Sequence, residues 1–566
     1  MIFNKRYLIN SVSFEKYFIA KFMKSKSYSL SYLTLFLLSI ILFSCTQSEN
    51  YNRNNIHNIG KDEFLKEDKK DERGDYSKKD FSKCLKDLEK FVKDNPDNQE
   101  GHYYLGYVYT RYALPDGSDM LNINFEYNIK ASNEFKKVLY INPEFEGENY
   151  ILSPYSKLSA IWGSAALEFA FTGKSDSALW AFRKGKELGG YSKTVLDKSR
   201  NVLACCEKDA ILFSTGDMDA FPVWYLQYVE NYRKDVTLIN LSLLNTVWYV
   251  KSLKDSYPFG FNKIKISFTD EQIDKLNAIK WKSQIVSMPV PKNIISKYNV
   301  QDTAILNSGI MQWKMPPTMI SGKISAIKVQ DIILKDILSE NNWERPVYFP
   351  FFIEDVSCLG LNDYFQLNGI LFKLTPLKSK KAFDAIDEDA AKINFFNDYM
   401  SGENIYQTGF IWNIYEDAAM SINKDLFIFP ELYRVSSLYF AYHYYLNNAS
   451  YCQIILTKLD EKIPPEKYIP YIQTYDLFKK IYTDLNKKEE INKLNYKIEN
   501  AVLKKIELKK INRNDFEPVL TLLHIYDISK EYNKALKILY EMKNEFPENT
   551  LFIDRTKYFK EKAGKN

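Results

Sequence analysis

Apolar stripes at helical spacing, cut into pairs by Asn-Pro and Gly breaks and interrupted by a stretch of different period, restrict this chain to a mixed fold. Asp80–Lys93 puts Phe81, Cys84, Leu85, Leu88, Phe91 and Val92 on one stripe. Asn95 and Pro96 end it, because proline cannot continue a helix. The spacing predicts a partner helix over Gln99–Tyr112, with Tyr103, Leu105, Gly106 and Tyr109. After an insert with Pro115, a further helix over Ala131–Tyr140 ends at Asn142 and Pro143. Leu158–Phe171 and Ser177–Leu188 form a third pair, split by Gly173 and closed by Gly189 and Gly190. Near the C-terminus Phe516–Ser529 pairs with Asn533–Asn544 and stops at Phe546 and Pro547. Each pair has one apolar face that only stacking buries, and Gly106 and Ala165 permit close helix approach.

The middle reads differently. Asp209–Ser214 is a short apolar run ending at Thr215, Gly216 and Asp217, which predicts a buried strand. A helix over Phe221–Tyr232 follows, with Pro222 in its first turn. Asp235–Asn240 is a second strand and Leu244–Lys254 a second helix, and β-α-β-α order implies parallel pairing with right-handed crossovers. Ala326–Ser339 is expected as a helix, Pro346–Phe352 as a third strand, and Phe365–Leu374 as an edge strand or hairpin arm. From 378 to 513 the pattern is helical again, broken at Pro464, Pro465 and Pro470. The expected fold class is therefore mixed: α-helical repeats flanking a central α/β domain with a small, mainly parallel sheet. The expected divisions are repeats over 76–204, the α/β domain over 205–377, a helical region over 378–513 and a final repeat over 514–566.

The N-terminus reads as an export address. Lys24 and Lys26 precede an apolar stretch from Leu30 to Phe43, followed by Ser44 and Cys45. A basic region, a short apolar core and a small residue before the cut define a signal peptide over 1–44. Met23 is the expected start, with 1–22 an over-extension. Leu42-Phe43-Ser44-Cys45 resembles a bacterial lipobox, which implies that Cys45 is diacylated and becomes the mature N-terminus. The polar stretch 45–75 is expected to be a flexible tether, since it offers little apolar area to offset chain entropy. The expected location is the cell envelope, lipid-anchored at the outer membrane. An uncleaved anchor helix with an incidental cysteine is the competing reading. Residues 1–44 hold six basic and one acidic side chain, so the remainder balances at 71 of each. A neutral body carries no electrostatic footprint for nucleic acid.

Two resemblances add to this. Tyr103, Leu105, Gly106 and Tyr109 on one helix, with a following helix ending in Asn142-Pro143, resemble tetratricopeptide repeats, which implies concave surfaces that bind protein segments. Four phrases in the middle, Phe213–Gln227, Asp235–Tyr249, Trp343–Phe349 and Leu361–Gly369, together resemble the soluble C-terminal portion of Bacteroidetes membrane proteins. Those are related to C-fold glycosyltransferases of the transmembrane protein 260 type. The multi-pass domain that would handle a lipid-linked sugar has no counterpart here, so the resemblance implies a place beside a glycosylation system and no transferase activity.

Candidate chemistry is sparse. Asp217 and Asp219 sit where a strand gives way to a helix, the usual ligand position of parallel α/β sheets, with Asn240, Ser242 and Asn245 after the next strand. These residues could hold a cation or sugar hydroxyls; alternatively Asp217 caps the helix or braces the turn while Asp219 is solvated. Trp224, Tyr225, Trp248 and Tyr249 either stack on sugar rings or build core. Phosphate-loop glycine patterns are missing, the four histidines lie away from the Asp217 turn, and Cys84, Cys205, Cys206, Cys358 and Cys452 read as small buried hydrophobes. No catalytic residue, metal or cofactor is expected. Asp176-Ser177-Ala178 and Asp302-Thr303-Ala304 match a short O-glycosylation acceptor, at a frequency near chance. The expected function is a membrane-anchored, non-enzymatic scaffold that binds proteins through its repeat grooves. The alternative is a glycan-binding accessory using the Asp217/Asp219 crevice.

Overall fold

A computed structural model describes residues 59–69, 79–114, 121–145, 147–255, 262–321, 324–353, 355–379, 385–400, 406–412 and 419–564, apart from 446, 514 and 548. Cys45, the export segment, His57 and the Pro115 insert lie outside these residues. The described chain divides into two compact units, one from 58 to 426 and one from 427 to 566. No described helix is long and apolar enough to cross a membrane.

The first unit opens with a correction. Within the stretch expected as a tether, α1 (Ile59–Lys69) is helical. Phe64 is fully buried, and Gly60 approaches Leu88 too closely for any side chain. The Phe64 ring, the docked Gly60 and the ion pairs Asp68–Arg111 and Lys61–Glu100 anchor a segment whose composition is otherwise polar. Helices α2 (Ser82–Asp94), α3 (Gln99–Ala113), α4 (Phe125–Ile141), α5 (Pro154–Phe171) and α6 (Ser175–Glu187) follow, and α7 (Lys193–Cys205) leads into the sheet. Asn98, Asn124, Ser153 and Ser192 each start a helix by accepting a backbone N–H of its first turn.

The central sheet has the order β2-β1-β8-β10-β9. Its strands are β1 (Ile211–Ser214), β2 (Thr237–Asn240), β8 (Val347–Pro350), β9 (Phe365–Asn368) and β10 (Leu371–Leu374). Strand β1 pairs in parallel with β2 and β8, as the alternation implies. The sheet is mixed rather than mainly parallel, because β10 is antiparallel to both β8 and β9. The reason is local: Phe365–Leu374 folds as a two-residue hairpin around Gly369, whose φ of +57° suits glycine. Between them run α8 (Asp217–Val229) and α9 (Val247–Asp255). Helix α8 begins at Asp217 rather than Phe221, so Pro222 lies inside it and not in its first turn. The acidic Asp217 and Asp219 favour an earlier start at the positive helix end.

The region 279–327 holds two small antiparallel sheets that the apolar pattern did not announce. One is β3-β7-β6, from β3 (Ile279–Lys280), β6 (Met319–Ser321) and β7 (Ile324–Ile327). The other pairs β4 (Gln284–Pro289) with β5 (Ile310–Met315). Ala326 therefore belongs to a strand, and α10 (Val329–Asn341) starts three residues later than expected. Helix α11 (Glu388–Phe396) closes the named elements of this unit. The second unit is helical: α12 (Ile428–Tyr445), α13 (Ala449–Lys462), α14 (Ile472–Asp484), α15 (Lys488–Glu507), α16 (Glu517–Ile528), α17 (Tyr532–Glu545) and α18 (Thr550–Ala563). All five described cysteines are buried and unbridged.

Candidate functional site

The carboxyl end of β1 brings some of the expected residues together. Ser214 lies beside Asn240 in the parallel ladder, and the chain then turns through Gly216 into α8. Asp217 is part-exposed as a residue, yet its Oδ1 is fully buried and accepts no hydrogen bond. Burial pushes its carboxyl up to about 6, against the opposing pull of the Lys157 ammonium on α5. Burial, aided by Arg111, pushes Lys157 down to about 7, while Asp217 and Asp68 oppose this. The Lys157 Nζ rests 4.7 Å from the Tyr107 ring centroid. The Ser214 Oγ at the same strand end is also buried without a partner. Asp219 is engaged, receiving Lys198 Nζ at 2.8 Å and the Thr215 hydroxyl at 3.3 Å. Each carboxylate thus faces its own lysine, which disfavours a shared divalent cation.

The two asparagines do structural work. Asn240 Oδ1 accepts the backbone N–H of Ser242 at 3.0 Å and of Leu243 at 3.3 Å, closing the turn after β2. Asn245 grips Gln330, its Nδ2 donating to Gln330 Oε1 at 2.8 Å and its Oδ1 accepting the Gln330 N–H at 3.0 Å. Trp224, Tyr225 and Tyr249 are core, and Trp248 packs edge-on against Phe171 with ring centroids 4.7 Å apart.

The tyrosine hydroxyls of α3 are engaged by the chain itself. Tyr103 and Tyr107 on α3 donate to the Leu152 carbonyl at 2.7 and 3.2 Å. The same hydroxyls accept the N–H groups of Tyr150 and Leu152, both at 2.9 Å. Residues 150–152 thus lie against the tyrosines of α3. Arg111 forks onto Asp68 of α1 at 2.8 and 3.0 Å, and Tyr150 donates to the same carboxylate at 2.6 Å. Burial alone would raise Asp68, but the Arg111 guanidinium holds it below the usual carboxylate range.

A second arrangement was not legible in the sequence. A cleft of about 680 Å³ is lined by Lys193, Asp197 and Arg200 of α7, by Glu230 and Tyr232 after α8, and by Tyr399, Phe410, Ile411 and Trp412. Arg200 donates to Asp197 at 2.8 Å and pairs with Glu230, and Lys193 reaches Asp197 at 2.5 Å. The Tyr399 hydroxyl donates to that of Tyr232 at 3.1 Å. Phe410 and Trp412 meet edge to face, ring centroids 5.6 Å apart. Asn201 holds the far wall by exchanging two hydrogen bonds with the Ile411 backbone, at 3.1 and 2.8 Å. Aromatic faces beside charged donors and acceptors suit a polyhydroxyl ligand such as a sugar. The signal available beforehand was the i, i+4, i+7 spacing of Lys193, Asp197 and Arg200 on one helix face.

The family described as TMEM260-associated domain 2 matches residues 195–278 and 260–394. The central region is TMEM260-like. This TMEM260-like region covers about a third of the chain, from within α7 through β9 and β10 to α11, and includes all four phrases singled out above. Their residues hold the sheet together. Arg345 donates to the carbonyls of Asp209 and Ala210 at 2.6 and 3.1 Å and to the Thr237 hydroxyl at 2.7 Å, crossing three strands' ends. Arg233 sits inside the TMEM260-like region at a φ of +47° and forks onto Asp235 at 2.8 Å twice while donating to the carbonyls of Leu203, Cys206 and Glu207. No curated protein matches the chain.

Proposed function

We propose that this protein is a non-enzymatic, carbohydrate-binding accessory of a cell-envelope glycosylation system, held at the membrane by diacylated Cys45. The observation that carries this reading is the cleft between α7 and Tyr399, Phe410, Ile411 and Trp412, with aromatic lining and an Arg200–Asp197–Glu230 network. The TMEM260-like character of the central region supports it, since the resemblance implies a place beside a glycosylation or cell-envelope system. The flanking helix pairs are read as tetratricopeptide-like repeats, in a Bacteroidetes-type outer-membrane lipoprotein. The ligand site in this reading is the open cleft and not the Asp217/Asp219 crevice, where Asp219 already has Lys198.

The test is binding of the full chain to an array of bacterial envelope oligosaccharides. Trp412→Ala and Arg200→Ala should each weaken the retained glycan about tenfold, the scale of one lost aromatic or charged contact, with helix content unchanged. Retention of no oligosaccharide, or equal retention by both variants, would rule the cleft out.

A protein scaffold is the second reading. Tyr496 and Leu503, seven residues apart on α15, are both exposed and share one helix face. Mild crosslinking in native membranes should then capture one stoichiometric partner that Tyr496→Ala with Leu503→Ala no longer captures.

A further inference from the structure

Charge in this chain is uneven in a way the totals hide. Residues 275–328 hold eight lysines and a single aspartate, while the chain after Ser44 is balanced overall. This basic stretch folds into the two small antiparallel sheets, and Trp281 joins them. The Trp281 N–H donates to the Ser325 carbonyl at 2.9 Å, and its indole N–H donates to the Met315 carbonyl at 3.2 Å.

Both sheets expose aliphatic side chains among those lysines. In the β4–β5 ladder Met288, Met311, Trp313 and Met315 face inward. The outward face carries Ile285, 62% exposed, directly opposite the exposed Lys314. In the β6–β7 hairpin Ile320 pairs with Ser325 and Ile324 with Ser321, so the two isoleucines project from opposite faces near the turn. They are 73% and 59% exposed. Ile279 and Met319 are exposed on the same sheet. Among the described residues Lys275, Lys280, Lys282, Lys292 and Lys314 form no ion pair within 4 Å. Single exposed apolar side chains are ordinary, but four on one small three-stranded sheet mark an interaction site. Their type narrows the partner. A sugar or nucleic-acid surface would call for aromatic platforms. Exposed aliphatic side chains in a stretch where those five lysines form no ion pair match a boundary that is apolar inside and anionic outside.

We infer that this sheet pair docks on an anionic phospholipid surface, with Ile320 and Ile324 entering the headgroup boundary and Lys280, Lys282 and Lys314 meeting lipid phosphates. The docking is independent of the carbohydrate reading, and it orients the domain on the bilayer whether or not Cys45 carries a lipid.

The full chain carrying Cys45→Ser, and so unacylated, is floated with vesicles of equimolar phosphatidylglycerol and phosphatidylcholine, and with phosphatidylcholine alone. Two further chains add either Ile320→Asp with Ile324→Asp, or Lys280→Glu with Lys282→Glu and Lys314→Glu. All five positions are exposed, so both variants keep the fold. The parent should bind the anionic vesicles in a salt-sensitive manner, each variant more than tenfold more weakly, and all three should bind neutral vesicles alike through any contribution of the N-terminal segment. Hydrogen exchange of residues 279–327 should slow on anionic vesicles only. Equal binding of parent and variants to anionic vesicles would overturn the proposal. Loss confined to the lysine variant would overturn the insertion of the isoleucines. A parent that self-associates without lipid, and an isoleucine variant that does not, would assign the face to a second copy of the chain instead.

Discussion

Asp217 and Lys157 show how two residues far apart in sequence can set a pH response. Folded, Asp217 keeps its proton to about 6, against an ordinary value of 3.8. Between those values the folded state binds the extra proton, so this group's stabilising contribution is present below the lower value and falls as pH rises to the upper. Lys157 behaves in the opposite sense. It releases its proton near 7 when folded, against 10.5 ordinarily, so the unfolded state binds the extra proton between them and stability rises with pH there. The combined contribution of the pair is therefore lowest between about 6 and about 7. Asp217→Asn should gain melting temperature relative to the parent across the window from 3.8 to about 6. A difference that does not change with pH in that window would show that the carboxyl titrates normally.

At the scale of elements, the lesson of α1 is that one docked ring outweighs composition. Its sequence, from Ile59 to Lys69, is rich in charge, and isolated it is too short to be helical in water. Packing supplies what propensity lacks: Phe64 meets Tyr150 edge-on at 5.3 Å and Phe81 at 5.9 Å, and Asp68 answers Arg111. Phe64→Ala should cost about 3–5 kcal/mol, the usual range for deleting a buried phenylalanine. Chemical denaturation of the full chain reads that loss. A cost under about 1 kcal/mol would mean that α1 is an optional addition to the core. Helix α8 makes a related point, since Pro222 is tolerated inside it where the surrounding Ala220, Phe221, Val223 and Trp224 are all buried. Tertiary contact there exceeds the roughly 3 kcal/mol that an interior proline costs.

At the scale of the whole molecule, two compact units within one chain predict separable unfolding. The unit from 427 to 566 has its own core, including Tyr433, Leu456, Ile498, Leu522, Leu539 and Phe552, all buried. It also holds a buried Glu431–Arg434 pair that receives the Thr474 hydroxyl. Scanning calorimetry should resolve two transitions, and the smaller should carry about 100 kcal/mol, from roughly 0.7 kcal/mol per residue. One transition spanning both would show that the units unfold as a single cooperative body.

The sequence by itself determined what local spacing and local caps determine. Helical stripes, Asn-Pro and Gly stops and the β1 and β2 runs were readable, because each depends on residues within a few positions, and the five described cysteines were read as core from residue type alone. Only the tertiary structure decided the rest. Ile279–Lys280 is two residues long and finds its partner at Ala326–Ile327, far along the chain. Residues 150–152 take up the hydroxyls of Tyr103 and Tyr107, some forty-five residues earlier in the chain. Tyr399 and Trp412 meet Arg200 and Tyr232 across some two hundred residues to make the cleft. Pairing and burial are set by contact energies between distant segments, and no local period encodes which segments will meet.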